Sequence, residues 1–271
     1  MLRRQPGSDV GPGILQAVRK AQRTLCGVIM QYQAVLFMCD DIGRAEWVAT
    51  NFKRHNPDVF LTVYNGGLDD RDVRARVTAD LYEAGENLWH KRTRTPEGSF
   101  GYGWFEKLFA HAESRDADYT IYLETDVDVR RGISSDPKWD ISGPLNQADT
   151  AASLLAYDYW GSHLEGGPFV EHLEPTPNKF HTGCGGTAFA RNFFERARPH
   201  LPLVKAAFQQ IPYVFYADLM ATLLARNSGC SIGDWCEVSN VGGSYRFDDR
   251  TNQIFWEHSI ADTAMIHGVK I

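Results

Sequence analysis

Glu124, Asp126 and Asp128 alternate with Thr125 and Val127 directly behind the strand-like run Tyr119 to Leu123. On an extended backbone every second side chain points to one side, so the three carboxylates can converge. Three anions held together require a cation. Oxygen ligands at this spacing suit a hard divalent ion, Mn2+ or Mg2+, which keeps coordination sites for a substrate diphosphate. A solvated acidic strand end is the plain alternative, because an isolated Asp-x-Asp is a common pattern. Position favours the metal reading: an apolar strand aims the residues at its end into the crevice at the carboxyl edge of a sheet.

The elements around this stretch must therefore build such a sheet. Ala34 to Cys39 (AVLFMC) is a continuous apolar run, which fits a strand covered on both faces. Asp40 or Asp41 can cap a helix over Arg44 to His55, where Ala45, Val48 and Phe52 recur at helical spacing and Asn56-Pro57 ends it. Val59 to Tyr64 is a second strand, stopped at Asn65-Gly66-Gly67. Strand, helix, strand in this order predicts a right-handed parallel crossover. A charged helix is predicted over Val73 to Leu88, then a basic loop from Lys91 to Gly103, then a helix over Phe105 to Ser114 that feeds the strand Tyr119 to Leu123.

The second half is less regular. Gly183-Cys184-Gly185-Gly186 opens a short apolar stretch, Thr187 to Ala190, before a helix from Asn192. Another helix covers Ala217 to Arg226, with Asp218 in its first turn. Val238 to Gly243 and Ile254 to Trp256 read as short strands. The expected fold is α/β: an α/β/α sandwich around a mostly parallel, Rossmann-like sheet. Residues 1–33 are expected to form a loose tail with a short amphipathic helix over Ile14 to Leu25, and 34–271 a single domain.

With 271 residues and 43% hydrophobic content, the chain has ample core for that plan. A net charge of −6 argues against broad affinity for nucleic acid or anionic membranes. The five cysteines are odd in number and fall in no metal-ligand pattern, so a reducing compartment is expected. The basic Arg3-Arg4 is followed by Pro and Gly rather than an apolar core, unlike a signal peptide, and no run reaches membrane-spanning length. A cytoplasmic location is expected.

The stretch Ile121 to Asp128 (IYLETDVD) resembles the acidic Asp-x-Asp element of GT-A fold glycosyltransferases, which follows a buried strand and holds the metal of a nucleotide-sugar diphosphate. Glu124-Thr125-Asp126 keeps that family's register against the strand, with Glu in place of the first Asp. Asp126-Val127-Asp128 fits the literal pattern two residues later, and Asp126 belongs to both. The resemblance extends over roughly residues 34 to 270 and implies a nucleotide-binding half at 34–130 and an acceptor-binding half at 131–271.

Base and ribose contacts in that family come from the ends of the first strands, which implies Cys39, Asp40 and Asn65. GCGGTAFAR (Gly183 to Arg191) resembles the Gly-rich segment lining the donor-sugar and acceptor pocket. Gly185 and Gly186 there would let a sugar approach the backbone, or simply serve a turn that needs positive φ. His267-Gly268-Val269-Lys270 is similar to a C-terminal element whose His completes the metal ligands and whose Lys meets the diphosphate. Asp218 lies at about the interval from the Gly-rich segment where inverting members carry their general base, with Asp234 and Glu237 as rivals. Its alternative role is to complement the helix dipole.

Tyr157-Asp158-Tyr159-Trp160 can stack on an apolar sugar face, with Tyr159 and Trp160 as acceptor contacts, or pack in the core. Arg92, Arg94 and Lys107 are candidate phosphate or nucleotide contacts, although a solvated basic loop explains the first two equally well. The resemblance implies a metal-dependent transfer of sugar from a nucleoside diphosphate donor, by default a UDP-sugar, to an acceptor hydroxyl. Two other readings stand beside it. One is a nucleotidyltransferase, which Asp40-Asp41-Ile42-Gly43-Arg44 fits poorly as a phosphate loop. The other is a carbohydrate-binding protein that keeps the fold without turnover.

Overall fold

β1 (Tyr32–Met38) has the sequence YQAVLFM, and every residue after Tyr32 is buried, as its unbroken apolar run predicts. The computed structural model describes residues 30–39, 41–86, 100–144, 146–147, 180–181, 185–210, 217–240 and 263–269. Outside them lie Asp40, Arg92, Arg94, the cluster Tyr157 to Trp160 with Tyr159 and Trp160, Lys270, the expected helix over Ile14 to Leu25 and the expected strand Ile254 to Trp256. Contacts divide the chain into Met1–Met30 and Gln31–Ile271, and every element below belongs to the second unit.

α1 (Ile42–His55) starts at Asp41, whose carboxylate accepts from the Arg44 amide at 3.0 Å, and buries Ala45, Val48, Ala49 and Phe52. β2 (Phe60–Asn65) returns parallel to β1, completing the crossover. The next segment departs from expectation. In place of one helix over Val73 to Leu88 there is a short α2 (Asp70–Arg76), with only Val73 buried, and then a strand, β3 (Leu81–Ala84), parallel to β2. The cause is tertiary. Asp80 gives its amide to the Leu61 carbonyl at 2.9 Å and takes the Leu61 amide on its carboxylate at 2.8 Å. Lys53 pairs with that carboxylate at 2.9 Å. The open sheet edge captures a segment whose local propensity is helical.

α3 (Phe100–Glu113) begins earlier than predicted, and Trp104, Phe105, Leu108 and Phe109 are buried on one face. β4 (Tyr119–Leu123) lies parallel to β1 and is wholly buried. After it come β5 (Val127–Val129), β6 (Ile141–Gly143), β7 (Asn146–Gln147), β8 (Phe180–His181) and β9 (Ala188–Ala190). Then follow α4 (Arg191–Ala197), α5 (Leu201–Gln210), α6 (Ala217–Asn227), β10 (Ile232–Asp234), β11 (Val238–Asn240) and β12 (Met265–His267).

The main sheet has seven strands in the order β10-β6-β9-β4-β1-β2-β3. β9 runs antiparallel to both neighbours and the other pairings are parallel. This is the mixed α/β class with a mostly parallel sheet that the sequence implied. Val35 and Phe37 of β1 join Tyr122 and Phe189 in a core closed by α3, α4, α5 and α6. Ala34, Leu36 and Met38 point the other way and are also buried, with α1 against β1 on the chain's return. Gln33 is a polar residue within this core. Its side-chain amide bonds to the His111 and Ala112 carbonyls that end α3 and to Thr120 Oγ1 of β4, at 3.0 to 3.2 Å, so the donors of that amide are satisfied. Among the described residues no helix is long and apolar enough to cross a membrane.

A smaller sheet, β11-β12-β5, sits beyond the end of β4. β12 is parallel to β11 and antiparallel to β5, with His267 opposite Val127. Glu237 fastens this sheet. Its carboxylate is 1% exposed and takes Arg131 Nη1 at 2.7 Å, the Ser134 and Ser135 hydroxyls at 2.8 and 2.7 Å, and the Ser134 amide at 3.2 Å. Its backbone carbonyl accepts from the Met265 amide at 2.8 Å. The loop leaving β5 and the strand carrying His267 thus meet at one residue.

Burial alone would raise the Glu237 pKa, but the Ser135 and Ser134 hydrogen bonds and the Arg131 charge hold it below the usual range. A depressed folded pKa contributes stability that is present above the unfolded value and lost as pH falls through the folded one. Glu237→Gln should therefore cost on the order of 1.5–3 kcal/mol at pH 7, the scale of hydrogen bonds to a charged group. Thermal denaturation of the two proteins should show that gap at neutral pH and its closure as both are acidified below the ordinary glutamate range. An undiminished gap in acid would remove the charge from the explanation.

Candidate active site at the end of the fourth strand

β4 stops at Leu123, and the backbone then turns instead of continuing extended. The Val127 amide bonds back to the Glu124 carbonyl at 3.3 Å, with Thr125 and Asp126 in the turn. This turn corrects the expectation that all three acids converge. Glu124 and Asp126 stay together, whereas Asp128 enters β5 opposite Ile266. Its side chain is 6% exposed, with Arg130 Nε at 3.9 Å. Burial raises the Asp128 pKa, and the Arg130 and His55 charges only partly oppose that. Asp128 is not in the acidic cluster, and the pair that stays together is that of the Glu124-Thr125-Asp126 register.

The third member arrives on β12. His267 Nε2 lies 2.6 Å from Glu124 Oε2 and 3.4 Å from Asp126 Oδ1. Gly268, at φ +81°, bends the chain after His267, and the Val269 amide donates to the Asp126 carbonyl at 3.0 Å. One oxygen or nitrogen from each of Glu124, Asp126 and His267 lies within 4.8 Å of the others. The His267 and Glu124 side chains are 17% and 19% exposed, so the cluster is sheltered yet open to a ligand. Two carboxylate oxygens and an imidazole nitrogen form a donor set that fits a divalent cation, Mn2+ in particular, since imidazole suits transition ions and carboxylates suit hard ones.

The two carboxyl groups respond differently to this setting. Burial pushes Glu124 up, but the His267 hydrogen bond and charge, the Tyr122 hydroxyl and the Gly185 amide outweigh it and hold Glu124 low. Asp126 is raised by burial and by repulsion from Glu124, with His267 opposing. The Gly185 amide donates to Glu124 Oε2 at 3.1 Å, and the Tyr122 hydroxyl donates to Glu124 Oε1 at 2.6 Å. Tyr122 also fixes the glycine turn through its backbone: its carbonyl accepts from the Gly186 amide at 2.6 Å, and its amide donates to the Thr187 carbonyl at 2.9 Å. Sequence reading treats Tyr122 only as a strand residue. The signal was there, since Tyr122 and Glu124 stand two apart and so share a side of the chain.

Both glycines are demanded by the protein's own packing. A Cβ on Gly185 would lie 2.6 Å from Val127 Cγ2, 3.0 Å from His267 Cδ2 and 3.1 Å from Glu124 Cβ. Gly186 is at φ +94°, and a Cβ there would lie 2.8 Å from Val238 Cγ1. The close approach expected of a sugar is, in the first instance, an approach of the cluster itself.

None of the other expected residues that are described belongs to this cluster. Cys39 is half-buried at the end of β1. The side chain of Asn65 is committed to the turn after β2. Its Nδ2 donates to the Leu68 carbonyl and the Asp70 carboxylate, both at 2.8 Å, and its Oδ1 accepts from the Gly67 and Leu68 amides at 3.3 and 2.9 Å. That uses an amide's two donors and two lone pairs, so in this structure the side chain serves the turn. Lys107 Nζ sits over the Tyr64 ring, 5.4 Å from its centroid. Asp218 falls in the first turn of α6. Asp234 is exposed on the edge strand β10, and Glu237 is held in the clamp that fastens the smaller sheet.

No protein-family model and no curated protein matches this chain. Among solved structures it is similar to the galactosyltransferase LgtC in complex with donor and acceptor sugar analogues, at 12% sequence identity and a TM-score of 0.48. The alignment covers 87% of this chain and 86% of that one.

Gly185→Ala should disturb the cluster more than the fold. Forcing a methyl against Val127, His267 and Glu124 costs about 1–3 kcal/mol as overpacking, and it displaces two of the side chains whose donor atoms fit a cation. Denaturation midpoints and Mn2+ titration followed by electron paramagnetic resonance check this. The expected result is a folded protein with weakened binding of the ion.

Proposed function

We propose that this chain is a metal-dependent glycosyltransferase, moving a sugar from a nucleoside diphosphate donor, UDP-sugar by first choice, to an acceptor hydroxyl. The observation that carries the reading is the meeting of Glu124, Asp126 and His267 just beyond β4, where open α/β sheets receive ligands. These three residues would hold Mn2+ or Mg2+. When bound, the cation supplies charge neutralisation to the diphosphate.

The chain's own groups account for the rest. Lys270, three residues past His267 in the sequence, would supply an ammonium to the same leaving group. Cys39 and Asp40 would contact the nucleoside end of the donor, and Lys107 is a second candidate for the phosphates. Gly185 and Gly186 would border the donor sugar, and Tyr159 and Trp160 are the residues assigned to the acceptor. Asp218 accepts the proton of the acceptor hydroxyl as that oxygen bonds to the anomeric carbon and the carbon–diphosphate bond breaks. A single displacement of this kind inverts the anomeric configuration.

The metal reading is tested by Asp126→Ala, which should abolish Mn2+-dependent stabilisation by nucleotide sugars in a thermal-shift screen while leaving the unliganded midpoint nearly unchanged. Equal stabilisation of both proteins would sink it. For the base, Asp218→Asn keeps the shape but cannot accept the proton. Transfer should fall by roughly two to four orders of magnitude, the usual scale of general-base catalysis, with donor affinity barely altered and the wild-type product inverted. A retained configuration would discard single displacement.

A further inference from the structure

Glu124 stands where the resembled family has Asp, and the longer side chain has a partner that an Asp would not reach. We infer that Tyr122 is a positioning residue for the cation site: its hydroxyl occupies Glu124 Oε1 and so presents Oε2 alone to the cluster. The inference rests on the metal reading proposed for Glu124, Asp126 and His267. Tyr122 is itself fully buried. Its ring is fixed edge-on by Trp104, with centroids 5.1 Å apart, and by Phe37 at 5.5 Å. The hydroxyl therefore has no freedom to follow the carboxylate, and the carboxylate must come to it. The opposite oxygen, Oε2, then lies 2.6 Å from His267 Nε2 and 3.1 Å from the Gly185 amide.

The backbone of Tyr122 enforces the same geometry from the other side. By bonding Gly186 and Thr187 it sets the turn from which the Gly185 amide reaches Glu124. One residue thus orients both oxygens, one directly and one through the turn. The consequence is selectivity. A site offering one oxygen from Glu124, one from Asp126 and one imidazole nitrogen suits a small ion with six-fold geometry. Ca2+ takes six to eight oxygens and readily accepts both oxygens of a carboxylate.

The test uses the whole chain and Mn2+ or Ca2+ alone, with binding read by electron paramagnetic resonance for Mn2+ and by competition for Ca2+. Tyr122→Phe keeps the ring and removes only the hydroxyl. Mn2+ affinity should fall about ten- to a hundred-fold, the usual effect of removing a group that orients a metal ligand, and Ca2+ affinity should fall less. In a Glu124→Ala background the same change should cost nothing further, because its effect passes through that carboxylate. An equal loss in both backgrounds would make Tyr122 merely structural and overturn the inference.

Should the Phe variant not fold, Glu124→Asp carries the test. One methylene shorter, Asp cannot meet Tyr122 and the cluster together, so Mn2+ affinity should drop although the ligand type is unchanged. Undiminished affinity there overturns the inference while leaving the metal site standing. A wild-type chain that binds no Mn2+ overturns both.

Discussion

Two carboxylates side by side in a sheltered turn repel each other, and the imidazole of His267 is what makes that arrangement tenable. It sits 2.6 Å from one and 3.4 Å from the other. Without a positive or hydrogen-bonding partner, one of the pair would be driven to its neutral form. Much of the surrounding architecture serves to deliver that ring. β12 must pair with β5 for His267 to stand opposite Val127. β11 must pair with β12, and Glu237 must tie the loop after β5 to both. The electrostatic constraint is local, but its solution is spread over the second half of the chain.

The main sheet supplies the fixed wall for this arrangement. β4 is buried on both faces, between β1 and β9, and its last residues can shift only by disturbing aromatic packing on the α3 side. Trp104, Phe37 and Phe189 meet there at edge-on or steeply inclined angles. A rigid strand ending in a tight turn converts dense packing into positional accuracy, the requirement a ligand set places on its scaffold. The three-stranded sheet is smaller and adds the polar fastening at Glu237 to the burial of Val127, Val129, Val238, Met265 and Ile266. Its stability is therefore expected to respond to pH.

How far the sequence reveals all this depends on whether a signal is local. The apolar run of β1, the periodicity of α1 and the buried β4 are local patterns, and each appears close to its expected place. The segment after Asn65 is not. Leu81 is 40% exposed, so β3 carries no apolar run to announce it, and only the vacant edge of β2 decides its conformation. The acidic stretch fails in the same way. Alternation in sequence implies one face only while the backbone stays extended, and a single hydrogen bond from Val127 to Glu124 is enough to send Asp128 elsewhere. The nearness of His267 to Glu124 and Asp126 agrees with an expectation that came from resemblance, not from spacing. Tyr122 was overlooked because a tyrosine in a strand needs no further explanation until its hydroxyl is seen against a carboxylate.

The pairing of β5 with β12 also sets an order of events during folding. β1, β2 and β4 can associate using chain from the first half alone, but β5 gains its partner only after the segment bearing β12 has closed a very long loop. Non-local pairing of this kind is slow, because loop closure must come before the contacts that reward it. β5 is also the outer strand of the finished three-stranded sheet, so its other edge needs protection even after β12 arrives. Asp128 within β5, with Glu124 and Asp126 just before it, puts like charge beside that edge, and a second copy of the chain would bring the same charge against it, the protection that charged edges commonly provide.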